Sequence, residues 1–169
     1  LPFGGEVLYN MLIPFIEQNS NFRCLEIDGV GGFVGGGNTV LSRFNTLTEF
    51  RCNSTLDDGN VEFLIKALAG HPNLTKIDLL WTEVRARGLA ALVALLNNTN
   101  SSLAELRLWG CYLDDRAADI LAAALYRNVT LRKLNLGKNY DITVAGWGAV
   151  FAQLQSTHST LERLGLGGI

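Results

Sequence analysis

Much of what usually announces an activity is missing from this 169-residue chain. No apolar run approaches the ~20 residues that a membrane-spanning helix needs. Fourteen Lys and Arg stand against sixteen Asp and Glu, so a net charge of -2 provides no positive field for nucleic acid or an anionic membrane. The start, LPFGGEVLYN, has no initiator methionine, basic leader or cleavage site. That points to an excised piece of a longer chain, the alternative being a removed signal. The three cysteines, Cys24, Cys52 and Cys111, cannot all pair, and their spacing fits no zinc pattern, so a reducing compartment is expected. The two histidines, His71 and His158, fall in equivalent turns far apart along the chain and form neither a catalytic pair nor a metal cluster. No enzyme activity, cofactor or metal site is expected.

What is present is a repeat. The pattern L-x-x-L-x-L recurs as Leu47/Phe50/Cys52, Leu74/Ile77/Leu79, Leu103/Leu106/Leu108, Leu131/Leu134/Leu136 and Leu161/Leu164/Leu166, with a weaker copy at Phe22/Leu25/Ile27. The starts at 22, 47, 74, 103, 131 and 161 are separated by steps of 25, 27, 29, 28 and 30 residues. Each start alternates with period 2, which predicts a short strand, and is followed by a run of period 3.6, which predicts a helix. Asp57-Asp58 and Asp114-Asp115 open two of these runs with good capping chemistry. Inward faces are expected at Val61, Leu64, Ala67 and Leu68, at Gly88, Leu89, Leu92, Leu95 and Leu96, at Ala117, Ala118, Leu121, Ala124 and Leu125, and at Gly146, Trp147, Val150 and Leu154.

The unit LAELRLWGCYLDDRAADILAAALYRNVTL resembles the leucine-rich-repeat family, and within it the ribonuclease-inhibitor-like class. The resemblance covers residues 4–169 and places Cys111 where that class carries an inward Asn or Cys. Asn139 is a looser match, and Thr82 and Thr55 are weaker still. Strands sit ~4.8 Å apart while helices need ~8–10 Å, so stacking such units is expected to bend the array. The fold expected is therefore α/β: one domain over 1–169, a right-handed horseshoe arc of about six strand–helix repeats. Its parallel sheet would lie on the concave face and its helices on the convex face. Two local departures are expected. The glycine-rich stretch 29–38 reads as a loop where a helix should start, leaving a turn or two at Thr39–Phe44, and Pro14 should kink or end the helical run Glu6–Gln18.

Residues between the leucines are expected to face away from the core. One column reads Glu26, Arg51, Asp78, Arg107, Asn135, Gly165, and another Cys24, Glu49, Lys76, Glu105, Lys133, Arg163; both largely alternate in sign. The columns after the third leucine contain Asp28, Asn53, Leu80 and Trp109, then Trp81. Exposed Trp with flanking Arg is typical of binding hot spots. The candidate partner-binding residues are thus Leu80, Trp81, Trp109, Arg51, Asp78, Arg107, Asn53 and Asp28.

Other motifs fail. The glycine run lacks the third glycine of a dinucleotide loop and any following G-K-[ST]. Five N-x-[ST] matches, at Asn53, Asn73, Asn97, Asn100 and Asn128, coincide with turns the repeat itself favours. A secreted, glycosylated protein is the alternative reading of them. What the resemblance implies is protein–protein recognition through the concave face and rim; the cysteine count adds the expectation of the cytoplasm. The class includes enzyme inhibitors, innate-sensor modules and GTPase activators. A GTPase-activating role would need an exposed loop arginine such as Arg85, Arg87 or Arg116. A segment of a larger assembly, making end-to-end contacts with further repeats, is the other alternative.

Overall fold

The computed structural model describes residues 14, 18–19, 21–28, 41, 45–155 and 159–167. The glycine-rich 29–38 and His158 lie outside them, as does most of Glu6–Gln18 and of Thr39–Phe44. Pro14 is itself helical, and its carbonyl accepts the Gln18 N–H at 3.2 Å.

Six short strands follow one another: β1 (Cys24–Asp28), β2 (Glu49–Asn53), β3 (Lys76–Leu80), β4 (Glu105–Trp109), β5 (Lys133–Asn135) and β6 (Arg163–Gly165). Four helices connect β2 to β6: α1 (Asp58–Leu68), α2 (Ala86–Leu96), α3 (Asp115–Arg127) and α4 (Val144–Leu154). Every strand pairs in parallel with its sequence neighbour, so the sheet order is simply β1 to β6. The α/β repeat read from the leucines is thereby observed. Alternate side chains of a strand point to opposite faces. One face sends Phe50, Ile77, Leu106 and Leu134 into a single apolar cluster with Leu64, Leu92, Leu121 and Val150 of the helices. The opposite face carries no helix among the described residues and is open.

The strand register is enforced by backbone. The Thr48 carbonyl receives N–H bonds from Thr75 and Lys76, the Thr75 carbonyl from Ala104 and Glu105, and the Ala104 carbonyl from Arg132 and Lys133. A second staircase crosses the core. Asn139 donates to the Leu108 and Leu136 carbonyls at 2.8 Å and accepts the Leu113 N–H at 3.1 Å. Cys111 and Thr82, both fully buried, occupy the same place in the two preceding repeats and touch at 3.4 Å. Asn139 is therefore the strongest member of this column rather than a loose match. It falls eight residues after Leu131, as Cys111 does after Leu103; the extra residue comes later, before Ile142. Thr55 stands at the same offset after Leu47 but is exposed and does not join this buried column. Burial pushes the Cys52 and Cys111 thiols up to about 12 and about 11, so both remain inert thiols at neutral pH. Cys24 is exposed, as expected from the sequence, and burial against its strand raises its pKa as well.

The paired acids divide their work. Asp57 caps its own helix by accepting the Asn60 N–H, and Asp114 does the same for Ala117, both at 2.8 Å. The second acid of each pair reaches the next helix instead. Asp58 accepts the N–H groups of Arg85, Arg87 and Gly88 at 2.7–2.9 Å, the start of α2, whose own N-cap residue, Arg85, makes no side-chain capping bond. Asp115 accepts from the Thr143 and Gly146 N–H groups and the Thr143 hydroxyl at the start of α4. These bonds hold Asp115 below its ordinary carboxylate pKa, the Thr143 hydroxyl contributing most.

Glycine makes this approach fit: a Cβ at Gly88 would meet Val61 Cγ1 at 2.7 Å. As a result α1 packs closely on α2 and α3 on α4, while α2 touches α3 much more sparingly. Replacing Asp58 with alanine is expected to cost about 1–2 kcal/mol, because three N–H groups at one helix start lose their acceptor. Denaturant melts would measure the loss. Hydrogen exchange should show faster amides in α2 and unchanged amides in α3; equal acceleration in both would contradict this division of labour.

Candidate functional site

The open face is a ladder of charge. Register places Glu26, Arg51, Asp78 and Arg107 side by side on β1 to β4, with Glu49, Lys76, Glu105 and Lys133 in the neighbouring column. Glu49 accepts from Arg51 Nε at 2.6 Å and also from Lys76. Glu105 accepts from Arg107 Nε at 2.7 Å and pairs with Lys133 at 3.4 Å. Arg51 also reaches Glu26 at 3.6 Å, and Arg107 reaches Asp78 at 3.3 Å. Burial raises the pKa of Glu49, but its bonds to Lys76 and Arg51 outweigh that and hold it below the usual value. Glu105 is likewise lowered, since Arg107 and Lys133 overcome its burial. Exposed pairs of this kind contribute ~0–1 kcal/mol each, so the ladder shapes the surface more than it stabilises the fold.

Asp78 departs from the expectation that this whole column is exposed. It lies on the open face, yet only 5% of its surface reaches solvent. Burial pushes its pKa up, and Arg107, Lys76 and Arg51 only partly offset this. Its Oδ2 bonds Arg107, while its Oδ1 accepts no hydrogen bond among the described residues. Strand alternation gives the face a residue points to. It does not show that neighbouring long side chains will cover that residue. Of the other sequence candidates, Asp28, Asn53 and Arg107 are exposed, and Arg51, Leu80 and Trp109 are half-buried.

The structure brings Trp81 and Trp109 together. Their ring centres are 4.8 Å apart at 76°, an edge-to-face pair. Trp81 remains 40% exposed. Glycines seat both rings: a Cβ on Gly110 would meet the Trp81 ring at 2.6 Å, and one on Gly137 would meet Trp109 Cδ1 at 2.9 Å. The backbone turns here through left-handed residues, Trp81 at φ 57°, Gly110 at 66° and Lys138 at 60°. Each of them donates its N–H to the following repeat, to the carbonyls of Trp109, Gly137 and Gly167. A bulky residue held at positive φ costs of order 1–3 kcal/mol, and such positions concentrate at functional sites.

Two aromatics missed in the sequence extend the rim. Tyr112, also left-handed at φ 57°, and Tyr140 are 46% and 66% exposed, and Lys138 Nζ stands 5.6 Å over the Tyr140 ring. Each lies nine residues after its repeat's first leucine, in an otherwise polar turn. That recurrence was the available signal. A hollow of about 250 Å³ lies between Trp81, Tyr112, Glu83 and Arg85. Arg85 is engaged there, paired with Glu83 at 3.2 Å and donating to the Tyr112 carbonyl. Asn128 is 5% exposed, with its amide donating to the Leu96 carbonyl at 2.6 Å, so that N-x-T match is a structural turn.

Leucine-spaced parallel strands, a buried Asn/Cys/Thr column and, among the described residues, a helix-free sheet face together make a repeating α/β architecture similar to that of leucine-rich-repeat proteins. No family model matches the chain. Among curated proteins it is similar to NACHT, LRR and PYD domains-containing protein 12 of Homo sapiens, at 34% identity over 51% of this chain and 8% of that protein. It is also similar to NACHT, LRR and PYD domains-containing protein 2 of Homo sapiens, at 30% over 73% of the chain and 11% of that protein. A third relative is NACHT, LRR and PYD domains-containing protein 5 of Mus musculus, at 28% over 90% of the chain and 13% of that protein. The chain thus spans about a tenth of the length of these relatives. Among the described residues, no helix is long and apolar enough to cross a membrane.

Proposed function

We propose that this chain is a protein–protein interaction module of the ribonuclease-inhibitor-like class, acting in the cytoplasm and without catalysis of its own. The partner docks on the open sheet face and its aromatic rim. In this reading the sheet curves, because strand and helix spacings differ. The open face becomes concave and the rim lines one edge of the arc. The LRR in the relatives' names supports the leucine-rich-repeat part of this reading.

The observation that carries the reading is the half-exposed Trp81–Trp109 pair, seated on glycines at the margin of the sheet whose open face carries the Arg51–Glu49 and Arg107–Glu105 pairs. Rigid aromatic anchors beside a neutralised polar surface are what hot spots are made of, and truncating one typically costs ~2 kcal/mol or more, about thirty-fold in affinity. The test is quantitative capture of partners from cell extract on the immobilised 169-residue chain. Trp81→Ala with Trp109→Ala should reduce the retained partner at least tenfold while the melting temperature stays close to that of the parent. Equal recovery by the double variant would remove the rim from the binding site.

A further inference from the structure

A cleft runs along the helical side of the molecule, between α2 and α3. It consists of two hollows of about 460 and 510 Å³ that share Val93 and Ile120. Its origin is local chemistry. The first residue of α1 and α3 is Asp58 and Asp115, but that of α2 is Ala86; the third residue of α2 and α4 is Gly88 and Gly146, but that of α3 is Ala117. The acid-to-glycine lock that draws α1 to α2 and α3 to α4 is therefore absent at the α2–α3 junction, and the groove there stays open.

The floor is apolar, with Leu89, Val93 and Ile120, and the small Ala90 and Ala123 leave room above it. The ends are cationic. Arg85 and Arg116 stand at one end, and Arg127 at the other. Arg116 and Arg127 make no ion pair among the described residues. Asp114, the acid in the lining, is occupied in capping α3, and Arg85 is paired with Glu83. The helix walls have satisfied backbones, so nothing here can extend a strand. What fits is a ridge of side chains, as in helix-in-groove recognition. Eleven helical residues span ~16 Å, so the floor matches about three turns of a bound helix.

We propose that the α2–α3 cleft is a second docking surface, and that it takes a short amphipathic helix of a partner protein with carboxylates near both ends of its apolar ridge. This site meets the aromatic rim at Arg85 and Tyr112, but its lining includes neither Trp81 nor Trp109 and it faces away from the open sheet.

The test is selection from a displayed library of 14-residue helix-favouring peptides on the 169-residue chain, with counter-selection on Ala90→Trp. Position 90 is exposed, so the larger ring fills the groove without entering the core. Ala123→Trp, also at an exposed position, repeats the test from the opposite wall and guards against misfolding of the first variant. Enriched peptides should share apolar residues at i, i+3 or i+4, and i+7, with Asp or Glu near both ends. Their affinity should fall at least tenfold in Arg116→Glu/Arg127→Glu and stay unchanged in Trp81→Ala/Trp109→Ala. The proposal is overturned if no peptide survives counter-selection, if survivors carry basic ends, or if charge reversal leaves affinity intact. A concentration-dependent dimer that Ala90→Trp dissociates would also overturn it, by making a second copy of this chain the occupant.

Discussion

Asn139→Ala is expected to lower the unfolding free energy by about 3–5 kcal/mol, a large share of the roughly 5–15 kcal/mol that holds an ordinary domain together. The side chain is 3% exposed and joins two repeats. Its amide donates to the Leu108 carbonyl of one and the Leu136 carbonyl of the other, and its oxygen accepts the Leu113 N–H. Alanine leaves three backbone groups buried without partners, each costing about 1–3 kcal/mol, and opens a small void that lets the turns on either side shift. Urea denaturation followed by far-UV circular dichroism would measure it. Cys111→Ala is the internal contrast. The Cys111 thiol makes weak sulfur contacts, to the Leu79 carbonyl and the Thr82 hydroxyl at 3.4 Å and to the Trp109 carbonyl at 3.8 Å, so its loss should cost less than half as much. Equal losses would mean that this column acts through packing volume and not through hydrogen bonds.

A similar fall, about 3–5 kcal/mol, is expected for Phe50→Ala. Phe50 is fully buried in β2, with Leu25 and Ile77 as its register partners on either side. It stands where the other strands place Leu or Ile, so this repeat carries the largest volume in the spine. Removing the ring deletes apolar contact and leaves a cavity that a parallel sheet, tied by backbone bonds on both sides, cannot close. Phe50→Leu keeps most of the contact and should cost under ~1.5 kcal/mol. Denaturant midpoints for the pair separate the two effects. If leucine proves as damaging as alanine, aromatic shape rather than volume is what the site requires.

The legible parts of this protein were those governed by short periods. Leucines at fixed offsets specify which face of each strand is buried, since side chains alternate strictly. Phe50, Ile77, Leu106 and Leu134 all lie where that alternation puts them. The charge columns were legible for the same reason, because repeats of similar length stack in register, so that Arg51 falls beside Asp78 and Asp78 beside Arg107. The pairing of Trp81 with Trp109 was foreseeable only as proximity on adjacent repeats. The edge-to-face geometry depends on left-handed turns and on the space left by Gly110 and Gly137, and none of that is periodic.

Sequence alone determined the repeat, the buried spine, and the placing of the pairs Asp57-Asp58 and Asp114-Asp115 at helix starts, because each of these depends on residues a few positions apart. Tertiary structure decided the rest. It sent Asp58 and Asp115 to the following helices, thereby pairing α1 with α2 and α3 with α4, and it sank Asp78 beneath its neighbours. Those outcomes rest on contacts between residues about thirty positions apart in the chain. Such contacts exist only once the repeats have stacked, when small differences, a glycine here and an alanine there, settle which helices can approach.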